Sequence, residues 1–148
     1  MRTFEDFAVG QHYDLGTLTV TADEIIEFAT RYDPQPFHTD PEAARQSHFG
    51  GLIASGWHTA ALFMRLYVDG LLTGSASLGS PGVEELRWLH PVRPGDTLTG
   101  VVTVLDTWVS QNNPARGTVV LRCEFVNAEE VEVMRFRARG MFARRAAG

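Results

Sequence analysis

At 148 residues the chain has room for one domain with a real core and not for two, so 1–148 is read as a single domain. A net charge of −5, with no basic run before Arg144-Arg145, argues against nucleic-acid binding, and no long uncharged apolar run offers a membrane span. All 13 basic residues are arginine, which excludes Schiff-base chemistry through a lysine, and the start at Met1-Arg2-Thr3-Phe4-Glu5-Asp6-Phe7 lacks the apolar core of a signal peptide, so a cytoplasmic protein is expected.

Thr21-Ala22-Asp23-Glu24 has the form of a capping box and predicts a helix with Ile25, Phe28, Ala29 and Tyr32 on one face. That helix runs into Asp33-Pro34-Gln35-Pro36-Phe37-His38. Proline fixes its own φ and pushes the preceding residue out of the helical region, so a stiff, mostly extended loop is predicted. Such a loop can hold a carboxylate and an imidazole around one water. An ordinary proline-rich turn, with Asp33 as a cap and His38 half exposed, fits these six residues equally well. Asp40-Pro41 then predicts a new helix start, with Asp40 as N-cap.

After Gly50-Gly51, the stretch from Leu52 to Asp69 is apolar nearly all round and predicts a helix buried on most faces. Its polar residues His58, Arg65 and Asp69 share one stripe, and Arg65 can pair with Asp69 at i, i+4. Gly56 sits near the helix start, where unpaired N–H groups and the positive dipole end can stabilise an enolate-like oxygen. From Val83 the period changes to two. Strands are predicted over Val101 to Val109, Thr118 to Val126 and Val131 to Phe142. Met134, Phe136 and Ala138 alternate there with Arg135, Arg137 and Arg139, and Arg122 and Glu124 can form cross-strand charge pairs. Cys123 falls on the apolar side of its strand and reads as a packed, inert thiol.

Asp33, Pro36 and His38, followed about twenty residues later by Ser55-Gly56-Trp57 at the head of a long apolar helix, resemble the MaoC-like dehydratases, which include R-specific enoyl-CoA hydratases. Glu84 to Asp96 looks like that family's central strand and its turn, so the resemblance covers most of the chain. It implies an α+β hot-dog fold, an antiparallel β-sheet wrapped around a long buried central helix. It also implies addition of water to a 2-enoyl-CoA, or its removal from a 3-hydroxyacyl-CoA, with R stereochemistry. Asp33 and His38 would be the catalytic pair and the Gly56 N–H the oxyanion donor, with Gln35, Ser55, Trp57 and His58 supporting them or lining the pocket. The expected partners are the acyl-CoA substrate and a second copy of the chain in a homodimer. No cofactor is implied beyond the coenzyme A of the substrate, and no metal. The sequence departs from the family pattern at Gln35, where the family loop has Asn, and at Met64, where some relatives carry a Ser near the catalytic Asp.

The remaining histidines, His12, His48 and His90, read as surface or supporting residues, and the ten-residue spacing of His38, His48 and His58 matches no metal-ligand pattern. His58 reads as a core histidine satisfied by a backbone carbonyl, or as one that approaches the pocket. Two other functions are compatible with the fold. A non-catalytic acyl-CoA-binding domain suits Gln35 and Met64. A hot-dog thioesterase would need an acid near the helix start, and Ile53-Ala54-Ser55-Gly56-Trp57-His58-Thr59 has none.

Overall fold

In the computed structural model, which describes residues 1–146, the chain opens with a 3₁₀ turn (Phe4–Asp6) and β1 (His12–Thr19). Helices α1 (Ala22–Tyr32), α2 (Pro36–Thr39), α3 (Pro41–Gln46) and α4 (Gly56–Tyr67) follow, and α4 runs on into a π-helical turn at Val68–Leu72. The remaining strands are β2 (Ser77–Gly79), β3 (Val83–Trp88), β4 (Thr97–Val109), β5 (Arg116–Val126) and β6 (Glu132–Ala143). These strands pair antiparallel, in the order β1-β4-β5-β6, with β2 and β3 lying along the outer side of β6. The sheet wraps α4, giving the α+β hot-dog architecture expected from the sequence.

Alternation explains how the sheet finds its core face. In β4 the residues Leu98, Val102 and Val104 are buried, as are Val119, Leu121, Cys123 and Phe125 in β5. Phe63 of α4 stands in the middle, edge-on to Phe125 at 5.4 Å and to Phe136 at 5.3 Å. Burial drives the Cys123 thiol well above its ordinary pKa, which keeps it protonated and inert. Arg144 and Arg145 are tied to the N-terminal turn, Arg144 to Glu5 at 2.9 Å and Arg145 to Asp6 at 2.8 Å. Hydrogen bonds from the Arg145 backbone and the Arg144 side chain hold the Glu5 carboxyl down to about 2.

Several expectations need correction. α4 begins at Gly56 rather than Leu52, because Ile53 and Ala54 spend their N–H groups on Phe37 and Val92 carbonyls in an extended segment. It is not buried on most faces, since Trp57 and Met64 are exposed along one side. The predicted Arg65–Asp69 pair forms, at 2.7 Å. β3 is not central but lies at the sheet edge, paired among the described residues with β6 alone and bulged between Glu84 and Arg87. Arg122 pairs at 3.1 Å with Glu124 of its own strand, while the register sets it opposite Arg137. Arg137 in turn is compensated from the edge by Glu85 at 3.1 Å.

Candidate active site

The site is assembled where α1 ends and α4 begins. Thr21 caps α1 by accepting from the Glu24 N–H at 3.2 Å. Eleven helical residues later Asp33 closes the helix, its own N–H bonded to the Ala29 carbonyl at 2.8 Å. Pro34 forbids continuation of α1. Gln35 is extended, as the following proline suggested, but the loop does not stay so: Pro36 occupies the first position of the one-turn helix α2, a place where its missing N–H costs nothing. That turn swings His38 inward until it is only 5% exposed.

Ser55 does two jobs at the head of α4. Its hydroxyl oxygen accepts from the Trp57 N–H at 3.3 Å, which caps the helix, and its proton is donated to Asp33 Oδ2 at 2.7 Å. Gln35 Nε2 donates to the other carboxylate oxygen, Asp33 Oδ1, at 2.7 Å. The longer amide therefore reaches the acid directly. Partial burial acts to raise the Asp33 carboxyl, but the hydrogen bonds from Gln35 and Ser55, with the imidazole of His38, outweigh it and hold the group below the usual carboxylate range.

His38 Nδ1 lies 2.7 Å from the Ile53 carbonyl oxygen. A carbonyl only accepts, so Nδ1 carries the proton and neutral His38 presents a bare lone pair at Nε2. Nε2 in turn faces Asp33 Oδ2 at 3.3 Å. Two acceptors facing each other call for a proton or a proton donor between them. A water hydrogen-bonded to both meets that need, and so does an imidazolium.

His38 and Gly56 line the same cleft, of about 320 Å³, together with Phe37, Thr59, Trp88 and His90. Trp88 explains the glycine in steric terms, because a Cβ at Gly56 would stand 2.4 Å from the indole Cδ2 and Cε2. Trp57 is not in this cleft. It walls a neighbouring apolar groove of about 260 Å³ with Met64, Tyr67, Leu86 and Phe136, and meets Trp88 edge-on at 5.1 Å. The two tryptophans thus separate cleft from groove.

Asp33, Gln35, His38 and Ser55 are brought into direct contact, with Gly56 lining the same cleft as His38. His58 is not brought in. It turns to the opposite side of α4, stacks on Phe28 of α1 at 4.8 Å, and leaves a buried Nδ1 with no hydrogen-bond partner among the described residues. The expected backbone carbonyl is therefore absent, and burial, partly opposed by Glu24, depresses its pKa and keeps it neutral. His12, His48 and His90 are exposed, and only His90 reaches the cleft wall. Met64 belongs to the groove, so the serine hydroxyl on Asp33 comes from Ser55 instead. The Ile53 carbonyl was not foreseen, since no side-chain pattern marks a backbone acceptor 15 residues away.

The role of Gln35 can be measured. Gln35→Ala removes one of the two donors to Asp33 and is expected to lower kcat/KM about tenfold, the order of one hydrogen bond to a charged group. Gln35→Asn, which keeps the amide but retracts it by about one bond length, is expected to lose less. Steady-state kinetics on one enoyl-CoA, the substrate the family resemblance implies, decides the matter, and wild-type values in both variants would reduce Gln35 to a link between two prolines.

Known proteins similar to this chain share its fold. The model of the MaoC like domain matches residues 5–123. A MaoC-like dehydratase from Rhodospirillum rubrum is 44% identical and superposes with a TM-score of 0.90, over 98% of this chain and 99% of its own. The (R)-hydratase of A. caviae involved in PHA biosynthesis is 26% identical, with a TM-score of 0.72 over 92% of this chain and 97% of its own. The 3-hydroxyacyl-thioester dehydratase Z of Mycobacterium tuberculosis is 31% identical over 127 residues, 80% of this chain and 84% of that protein. By sequence and by fold, the chain belongs to the MaoC-like dehydratase family.

Proposed function

We propose that the protein is a hydro-lyase that adds water to a 2-enoyl-CoA, or removes it from the R-3-hydroxyacyl-CoA. The observation that carries this reading is the pair of facing acceptors, His38 Nε2 and Asp33 Oδ2, 3.3 Å apart beside a cleft. A water held between them donates one proton to each and turns its lone pairs outward. As its oxygen bonds to C3 of the enoyl group, one O–H bond breaks and the proton passes to Nε2. Asp33, already held ionised, is the weaker base and stabilises the imidazolium that results. Electron density from the C2–C3 double bond moves to the thioester oxygen, which accepts from the Gly56 N–H at the dipole end of α4. The Nε2 proton then passes to C2, which completes the addition of one water and restores the pair. The apolar groove beyond Trp57 and Trp88 suits the acyl chain.

Crotonyl-CoA tests the reaction class. Loss of the enoyl absorbance without free thiol is the expected result. Release of thiol would make the protein a thioesterase, and neither signal would leave a binding domain.

A homodimer belongs to the same proposal. The β2–β3 edge carries Leu78, Val83 and Trp88 exposed, and the adjoining face of α4 exposes Trp57 (59%) and Met64 (45%). An open strand edge flanked by large apolar side chains invites a twin to cover it. Light scattering at micromolar concentration should give twice the chain mass, and a monomeric mass would overturn this assignment.

A further inference from the structure

Trp88 ends β3 with its indole laid against Gly56, where an added Cβ would stand 2.4 Å from Cδ2 and Cε2 and 2.9 Å from Cε3. The ring therefore stands beside the N–H proposed for the thioester oxygen. On one side of it lies the cleft that holds His38 and Gly56, and on the other the apolar groove of Trp57, Met64, Leu86 and Phe136. Among the described residues none lines both spaces, and the edge-on contact of Trp88 with Trp57, at 5.1 Å, parts them. The groove suits an acyl chain in its chemistry, but the way to it from the reacting carbons is shut. The two tryptophans are not held alike. Trp57 belongs to the first turn of α4, capped by Ser55. Trp88 is the last residue of an edge strand, 45% exposed, and Leu89 to Pro91 beyond it are outside any strand. A side chain so placed can turn toward solvent without opening the core.

An open groove would make long enoyl chains much the better substrates, because each methylene that leaves water strengthens binding about fourfold. With the indole in place, a chain too long for the cleft must first displace it from Gly56 and from Trp57. We propose that Trp88 sets the acyl-chain length of this enzyme: it closes the groove, so that short 2-enoyl-CoAs are preferred, and its removal admits long ones. This rests on the hydro-lyase reading above and narrows its substrate class.

The test compares crotonyl-CoA with 2-octenoyl-CoA in wild type, in Trp88→Leu, and in Trp88→Leu combined with Met64→Trp, which refills the groove from its helix side. In wild type the longer substrate is expected to have no higher kcat/KM than the shorter. In Trp88→Leu the long-to-short ratio should rise about tenfold or more, the order of about two methylenes newly buried. In the double variant it should return to the wild-type ratio. Butyryl-CoA and octanoyl-CoA, titrated by calorimetry, read the same ratio from affinity alone, so a folded variant without turnover still decides. Trp88→Phe, with a smaller rise expected, takes the place of Trp88→Leu if the latter does not fold. A wild-type preference for 2-octenoyl-CoA, an unchanged ratio on loss of the indole, or a raised ratio that survives Met64→Trp overturns the gate alone. Failure of wild type to hydrate either substrate overturns the hydro-lyase reading and this inference with it.

Discussion

Asp33→Asn and His38→Ala are each expected to lower the hydration turnover by at least ~10², the lower end for loss of a positioned acid or base. The two losses arise differently. Asp33 receives one donor on each oxygen, Gln35 on Oδ1 and Ser55 on Oδ2. An asparagine must turn its NH₂ toward one of those donors, so the side chain is displaced as well as discharged. His38→Ala removes the lone pair that receives the proton and strips the Ile53 carbonyl of its donor, which costs about 1–3 kcal/mol of stability. Thermal unfolding measured beside the kinetics separates that loss from the catalytic one, and a variant retaining more than about a tenth of wild-type turnover while folded would refute the pair. The pH dependence has a definite sign for the acid. The folded Asp33 carboxyl lies below its unfolded value, so its contribution to stability is complete above the ordinary carboxylate range. It is lost only as pH falls through the depressed folded value, and at neutral pH Asp33 is ionised.

Gly56→Ala should be nearly as damaging, for a reason that is steric before it is electronic. The new Cβ would meet the Trp88 indole at 2.4 Å, and an indole ring cannot step aside as the tip of a flexible side chain can. Either Trp88 leaves the cleft wall or the head of α4 shifts, and with it the N–H proposed for the thioester oxygen. Overpacking of this kind costs about 1–3 kcal/mol of stability. Misplacement of the donor by about 1 Å costs ~10² in kcat/KM. Gly56→Ala combined with Trp88→Leu opens the space again and should recover part of the rate. Wild-type activity in Gly56→Ala alone would show that this part of the cleft does not touch the substrate.

The parts of the molecule legible in the sequence are those where chemistry and local geometry coincide. The capping threonine, the prolines around Gln35, and the acid and imidazole at either end of the loop all act within a few residues of one another. The strands β4, β5 and β6 were legible because alternation runs through β5 and through much of the other two, breaking only after Val104 in β4 and at Val133-Met134 in β6, though they begin or end a few residues away from the predicted bounds. β1 escaped notice. Leu15 is its one buried residue, and a bulge at Gly16, where φ is +93°, breaks the period. What the sequence hid are contacts made across the fold. Ser55 reaches Asp33 over 22 residues, and the Ile53 backbone fixes the His38 tautomer over 15. The direction of His58 depended on Phe28, a residue of another helix that no spacing rule couples to it. Trp88 was legible as an aromatic but not as the wall that makes Gly56 obligatory.

The central claim is that one pair of side chains both activates the water and returns a proton to C2. Hydration of crotonyl-CoA in D₂O tests it most directly, since the position of the deuterium records which face received the proton. Syn addition, with the hydroxyl at C3 in the R configuration and deuterium at C2 on the same face, is the predicted result. Anti addition, or deuterium distributed over both faces of C2, would contradict it.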